Sequence, residues 1–99
     1  MTRGIQMNPH QHTPSMNQKI FETGLSVEAI SAYLICCSLA DADAPISTNN
    51  LMGLWNSADT ALIECLEVLE KKNIIRRIIS GSEGSEVYLL TDIDKWELD

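Results

Sequence analysis

The stretch from Ser57 to Ile79, SADTALIECLEVLEKKNIIRRII, constrains this chain more than any other. Ser57 can cap a helix start, and Ala58, Ala61, Leu62, Cys65, Leu66 and Leu69 recur at the spacing that gathers one apolar face on a helix. Lys71 and Lys72 follow where positive charge suits the negative end of the helix dipole. Asn73 tolerates the left-handed conformation that ends many helices. A β-prone run, Ile74 to Ile79, begins at once, so a helix must turn directly into a strand and the other segments must fit around that junction.

Upstream, Ser26 is a good N-cap, and Leu25 before it can meet Ile30 as a hydrophobic staple. The spacing predicts a first helix over Val27 to Ala40, with Val27, Ile30, Tyr33, Leu34 and Cys37 on one face. Ala29, Ile35, Cys36 and Leu39 widen that face, so burial on more than one side is expected. Pro45 closes the run Asp41 to Ala44 against further helix. Ser47, or alternatively Thr48, can cap a short second helix to about Leu54, with Leu51, Leu54 and Trp55 turned inward. A short helix, a tight turn at Asn56 and Ser57 and a longer helix make a helix-turn-helix.

Downstream, Ile74 to Ser80 and Glu86 to Leu90 flank the polar loop Gly81-Ser82-Glu83-Gly84-Ser85 and are expected to form a hairpin. Thr91 or Asp92 can cap one last turn that sets Ile93 and Trp96 against the body. The expected fold class is α+β: a winged helix, with a three-helix core and a C-terminal hairpin wing, over residues 19–99. Residues 1–18 are rich in Asn, Gln, His, Pro and Thr, lack an apolar period, and are expected to form a disordered arm. With 99 residues in all, one domain is expected.

Chemistry-bearing motifs are scarce. There is no Gly-rich phosphate loop, no metalloprotease His-Glu motif and no nucleophile elbow. The two histidines, His10 and His12, lie in the arm, where a solvated tail is favoured over weak metal binding. Cys36, Cys37 and Cys65 form an odd set without a C-x-x-C pair and read as reduced thiols packed as small hydrophobes. The expectation is a non-enzyme with no metal, no cofactor and no small-molecule substrate. No apolar run is long enough to cross a bilayer and no secretion signal opens the chain, so the cytoplasm is the expected location, without membrane attachment.

Charge decides between partners. Fourteen acids against seven bases give a net charge of −7, which disfavours a sequence-independent nucleic-acid binder. The helix that should enter the major groove presents Asp59, Thr60, Ile63, Glu64 and Glu67 outward. Specific base contacts usually come from Arg, Lys, Asn or Gln. Lys71, Lys72, Arg76 and Arg77 cluster just after it and could touch phosphates weakly. They could equally serve the helix dipole and pair with Glu83 or Glu86 across the hairpin. Ile20, Phe21, Ile63 and Trp96 are apolar groups that a small domain does not need outside its core, so with Asp59, Glu64 and Glu67 they are candidates for protein contact. A further reading is that the acidic face imitates DNA and occupies a basic site on another protein.

Gly24-Leu25-Ser26 before an apolar first helix, the short second helix from Ser47, the run Leu66 to Ile75 and the strand Val87-Tyr88-Leu89-Leu90 ahead of Trp96 together resemble bacterial winged-helix domains. Among these the chain is most similar to the N-terminal domain of DnaD-type replication-initiation proteins, over about residues 19–98. The resemblance implies a place near DNA replication or transcription, and oligomerisation rather than base reading. The expected function is thus an interaction module, homodimeric or bound to another protein; the alternative is a DNA-binding regulator that contacts phosphates through its wing.

Overall fold

The structure is a computed structural model, and it describes residues 15–79 and 86–98. Helix α1 spans Val27–Asp41, strand β1 Ile46–Ser47, helix α2 Thr48–Leu54, helix α3 Asp59–Lys71, strand β2 Ile75–Ile79 and strand β3 Val87–Leu90. Short 3-10 helices at Gln18–Glu22 and Ile93–Lys95 bracket this body. The three strands form one antiparallel sheet in the order β1-β3-β2. This is an α+β fold whose element order is compatible with a winged-helix-like arrangement.

The local signals act largely as the sequence predicts. Ser26 Oγ accepts from the Ala29 N–H at 3.1 Å to cap α1, and Ser47 Oγ accepts from the Asn50 N–H at 3.1 Å to cap α2. Asn73 takes φ 60° after α3, the left-handed conformation that releases the chain into β2. The start of α3 differs. Its N-cap is Ala58, which has no side chain to offer, and Ser57 stands one residue too early. The turn is held instead by the indole of Trp55, whose Nε1 donates to the Ala58 carbonyl at 3.0 Å.

The sheet register pairs Ile75 with Leu90, Arg76 with Leu89 and Arg77 with Tyr88, then slips by one so that Ile79 faces Val87. Ile78 is the extra residue at this bulge. Strand β1 was not expected from the sequence, because two residues between a proline and a helix cap carry no alternation to read. It forms because Ile46 and Ser47 lie beside Tyr88 and Val87 and gain hydrogen bonds there that solvent would otherwise supply. Thr48 extends the contact: its N–H donates to the Glu86 carbonyl at 3.0 Å and its hydroxyl to Glu86 Oε1 at 3.0 Å, so a buried hydroxyl is satisfied.

The core lies where α1, α3 and the sheet meet. Leu62, Cys65, Leu66 and Leu69 come from α3, Ala32, Tyr33, Cys36 and Cys37 from α1, and Leu51, Ile74, Ile75 and Tyr88 from the remaining elements. Two candidates for protein contact belong to this core. Ile20 is 0% exposed and Trp96 9% exposed. The Trp96 ring meets Tyr33 edge-on, with centroids 5.8 Å apart and planes at 84°, and its Nε1 donates to the Thr91 carbonyl at 3.3 Å. Neither is a contact residue on the surface, and the reason is geometric: the 3-10 helices fold both ends of the domain back over α1.

The described body also reaches back into the expected arm of residues 1–18. Ser15 donates through N–H (2.9 Å) and hydroxyl (2.7 Å) to Asp41 Oδ1, and the Asn17 N–H donates to the Tyr33 hydroxyl at 3.0 Å. Asn17 Oδ1 then caps the first 3-10 helix through the Lys19 N–H at 2.8 Å. Residues 1–14, with His10 and His12, lie outside the described residues. So do the loop residues 80–85, including Glu83.

Candidate protein-interaction surface

Helix α3 places its side chains as the spacing dictates. Leu62, Cys65, Leu66 and Leu69 are buried, while Asp59, Thr60, Ile63, Glu64 and Glu67 are exposed, joined by Val68. The outward face is therefore acidic, with Ile63 between Asp59 and Glu67 one turn to either side of it, and with Val68 following Glu64 by four. No base interrupts it before Lys71. Burial pushes the Cys65 thiol up from its ordinary pKa, and Glu28 of α1 and Glu64 of α3 push it further.

Phe21 remains a surface residue, at 57% exposed, although its neighbour Ile20 is buried. The two point in opposite directions from the same 3-10 helix. Leu54 and Ile93, expected to face inward, are 53% and 39% exposed. For Leu54 the cause is that α2 reaches only seven residues, so its last turn overhangs the core that Leu51 fills.

The basic group after α3 is less available than its sequence suggests. Arg77 Nη2 lies 3.0 Å from Glu70 Oε1, and its guanidinium sits 5.8 Å over the Tyr88 ring. This carboxylate is seven residues back on α3, and Glu86 across the hairpin adds to the electrostatic effect on the guanidinium. Lys71 and Arg76 are exposed and Lys72 is half-buried, and none of the three forms an ion pair among the described residues. Arg76 and Lys95 border a groove of about 360 Å³ with Asn73, Leu89, Thr91 and Asp92. Asn73 Nδ2 donates to the Lys95 carbonyl at 3.0 Å, which fixes the turn but not the ammonium.

The three thiols lie inside the fold. Burial is the main cause that pushes Cys36 up to about 12 and Cys37 up to about 11, and it raises Tyr33 as well. They are protonated and unreactive at neutral pH. Among the described residues no three His, Cys, Asp or Glu side chains are grouped so as to hold a metal ion, and no helix is long and apolar enough to cross a membrane.

Sequence reasoning missed the groove between α1 and the α2 to α3 turn. Glu28, Ser31, Leu34, Ile35, Leu54, Trp55, Asn56 and Ser57 line a space of about 430 Å³ there. Its signal in the sequence was weak: α1 has apolar residues on all sides, which obscures which side stays open. Compared with protein-family models, with curated proteins and with solved structures, the chain matches none of them.

Proposed function

We propose that this chain is a winged-helix domain that works without catalysis, as an interaction and oligomerisation module in a DNA replication or transcription system of bacterial or mobile-element type. Its contacts are with proteins. The order α1-β1-α2-α3-β2-β3 and the resemblance to DnaD-type N-terminal domains support the setting. The single observation that carries the protein-contact reading is the exposed face of α3, where Asp59, Glu64 and Glu67 stand and no Lys or Arg precedes Lys71. A helix of this kind in the major groove would set carboxylates beside phosphates on both strands.

The test is a titration of duplex DNA at physiological salt beside a light-scattering mass of the free protein. No saturable DNA binding, with a mass above that of the monomer or with capture of a protein, is the expected result. Tight duplex binding by a strict monomer would overturn the reading. Charge reversal at Glu64 and Glu67 should remove partner capture and leave the fold intact, since both side chains are exposed.

A second reading, phosphate contact through the wing, is favoured by one observation: Arg76 and Lys95 border the same groove. It draws on Lys71, Lys72 and Arg76, with Arg77 already held by Glu70. Under it, Arg76→Glu with Lys71→Glu abolishes a strongly salt-dependent DNA affinity. If there is no affinity to abolish, this reading fails.

A further inference from the structure

The groove beside α1 narrows the kind of protein this domain takes. One wall is α1 from Glu28 to Ile35; the other is the end of α2 and the turn to α3, from Leu54 to Ser57. Leu34, Ile35, Leu54 and Trp55 supply the apolar lining, and Ser31, Asn56 and Ser57 supply neutral polar groups. The wall along α1 is about 10 Å long at 1.5 Å per residue, enough for about two turns of a docked helix. The Trp55 side is preformed, because its indole is hydrogen-bonded to the Ala58 carbonyl and its own N–H donates to the Leu51 carbonyl at 2.9 Å.

Three features select the occupant. One wall is a helix whose backbone is bonded internally and the other is the end of α2 with a connection of only four residues, 55–58, too short a stretch to pair with an extended peptide. A helix, which satisfies its own backbone, fits where a strand would not. The rim is acidic: Glu28 lines the groove, and the exposed Asp59 follows Ser57, which also lines it, by two residues. No base lines the groove. A second copy of this chain in a symmetric contact would bring the same carboxylates against this rim, and like charges would oppose it.

We propose that this groove docks a cationic amphipathic helix of another protein, with one bulky apolar side chain seated between Leu34 and Leu54 and Lys or Arg residues against Glu28 and Asp59. This rests on the reading of the chain as a protein-contact module and adds the class of partner.

The test uses the full chain and a designed helical peptide of leucine and lysine, of about four turns, which contains no tryptophan. Binding is followed by a blue shift of tryptophan emission, reported by Trp55 in the groove because Trp96 is already buried. Saturable one-to-one binding is expected for the lysine peptide and none for the same peptide with glutamate in place of lysine. Leu54→Ser, at an exposed position, and Glu28→Gln with Asp59→Asn are each expected to weaken it by about tenfold. Asp94→Asn with Glu97→Gln, which removes equal charge from the C-terminal segment, should leave it nearly unchanged.

No binding of the lysine peptide overturns the proposal, as does equal loss in the Asp94 and Glu97 variant, which would reduce the effect to net charge. A dimer that Leu54→Ser dissociates overturns it too, because a second copy then fills the groove. The duplex titration separates the levels. Tight DNA binding defeats the protein-contact reading itself, whereas absence of both peptide and DNA binding defeats only the groove assignment.

Discussion

Replacing Ile20 by alanine tests whether the N-terminal 3-10 helix is part of the domain or an appendage to it. Ile20 has no solvent exposure, and it sits in a segment tied to α1 by Ser15 on Asp41 and Asn17 on Tyr33. The substitution deletes three carbon atoms from a site closed to water, worth about 2.4 kcal/mol at about 0.8 kcal/mol per buried methylene. Any unfilled space adds to that, and full-sized cavities bring such changes to roughly 2–5 kcal/mol. A peripheral segment can settle inward, so about 2–3 kcal/mol is expected. For a domain of this length that lowers the unfolding temperature by roughly 10–20 °C. The assay is thermal unfolding followed by circular dichroism, with Phe21→Ala as the internal control. Phe21 is one residue away but mostly exposed, and its loss should change stability by no more than about 0.5 kcal/mol. If Ile20→Ala shifts the transition by under about 2 °C, the segment does not close the core and the packing argument is refuted.

Other outcomes follow from the same structure. Cys36 and Cys37 have raised folded-state pKa values, about 12 and about 11 against an ordinary 9. The folded state therefore holds protons that the unfolded state gives up, and the stability present below pH 9 should be lost as pH rises towards 11 and 12. Urea unfolding at a series of alkaline pH values should show this slope, and Cys36→Ala should flatten it. Asn73→Val, which forces a β-branched residue to φ 60° and deletes the bond to the Lys95 carbonyl, should cost about 2 kcal/mol, whereas Asn73→Gly should cost less; equal costs would contradict the conformational cause. Arg77→Ala should cost under about 1 kcal/mol despite the 3.0 Å contact with Glu70, because both side chains are about a third exposed and solvent screens the pair.

The elements were legible in the sequence wherever local chemistry is decisive. Helix caps at Ser26 and Ser47, the left-handed Asn73 and the apolar spacing of Leu62, Cys65, Leu66 and Leu69 depend on neighbours within one or two turns, so a linear reading finds them. The outward set Asp59, Thr60, Ile63, Glu64 and Glu67 follows from the same periodicity, and with it the acidic character of the candidate surface.

Burial at the chain's margins was decided only in three dimensions. Ile20 and Trp96 carry no periodic context. Whether each is core or contact surface depends on the ends folding back, Asn17 onto Tyr33 and Trp96 against the same ring. Strand β1 exists because β3 lies beside it, and the open side of α1 is set by how far the short α2 reaches, which leaves Leu54 and Trp55 at a groove. Arg77 pairs with Glu70 while lying over Tyr88 of the hairpin for a similar reason: the end of α3 and β2 are brought together by a turn whose geometry only the folded chain displays. The sequence alone determined which faces are apolar and which are acidic, since these are properties of spacing and side-chain type. Which of those faces remain open to a partner was decided by long-range packing, because exposure depends on residues far away in the chain.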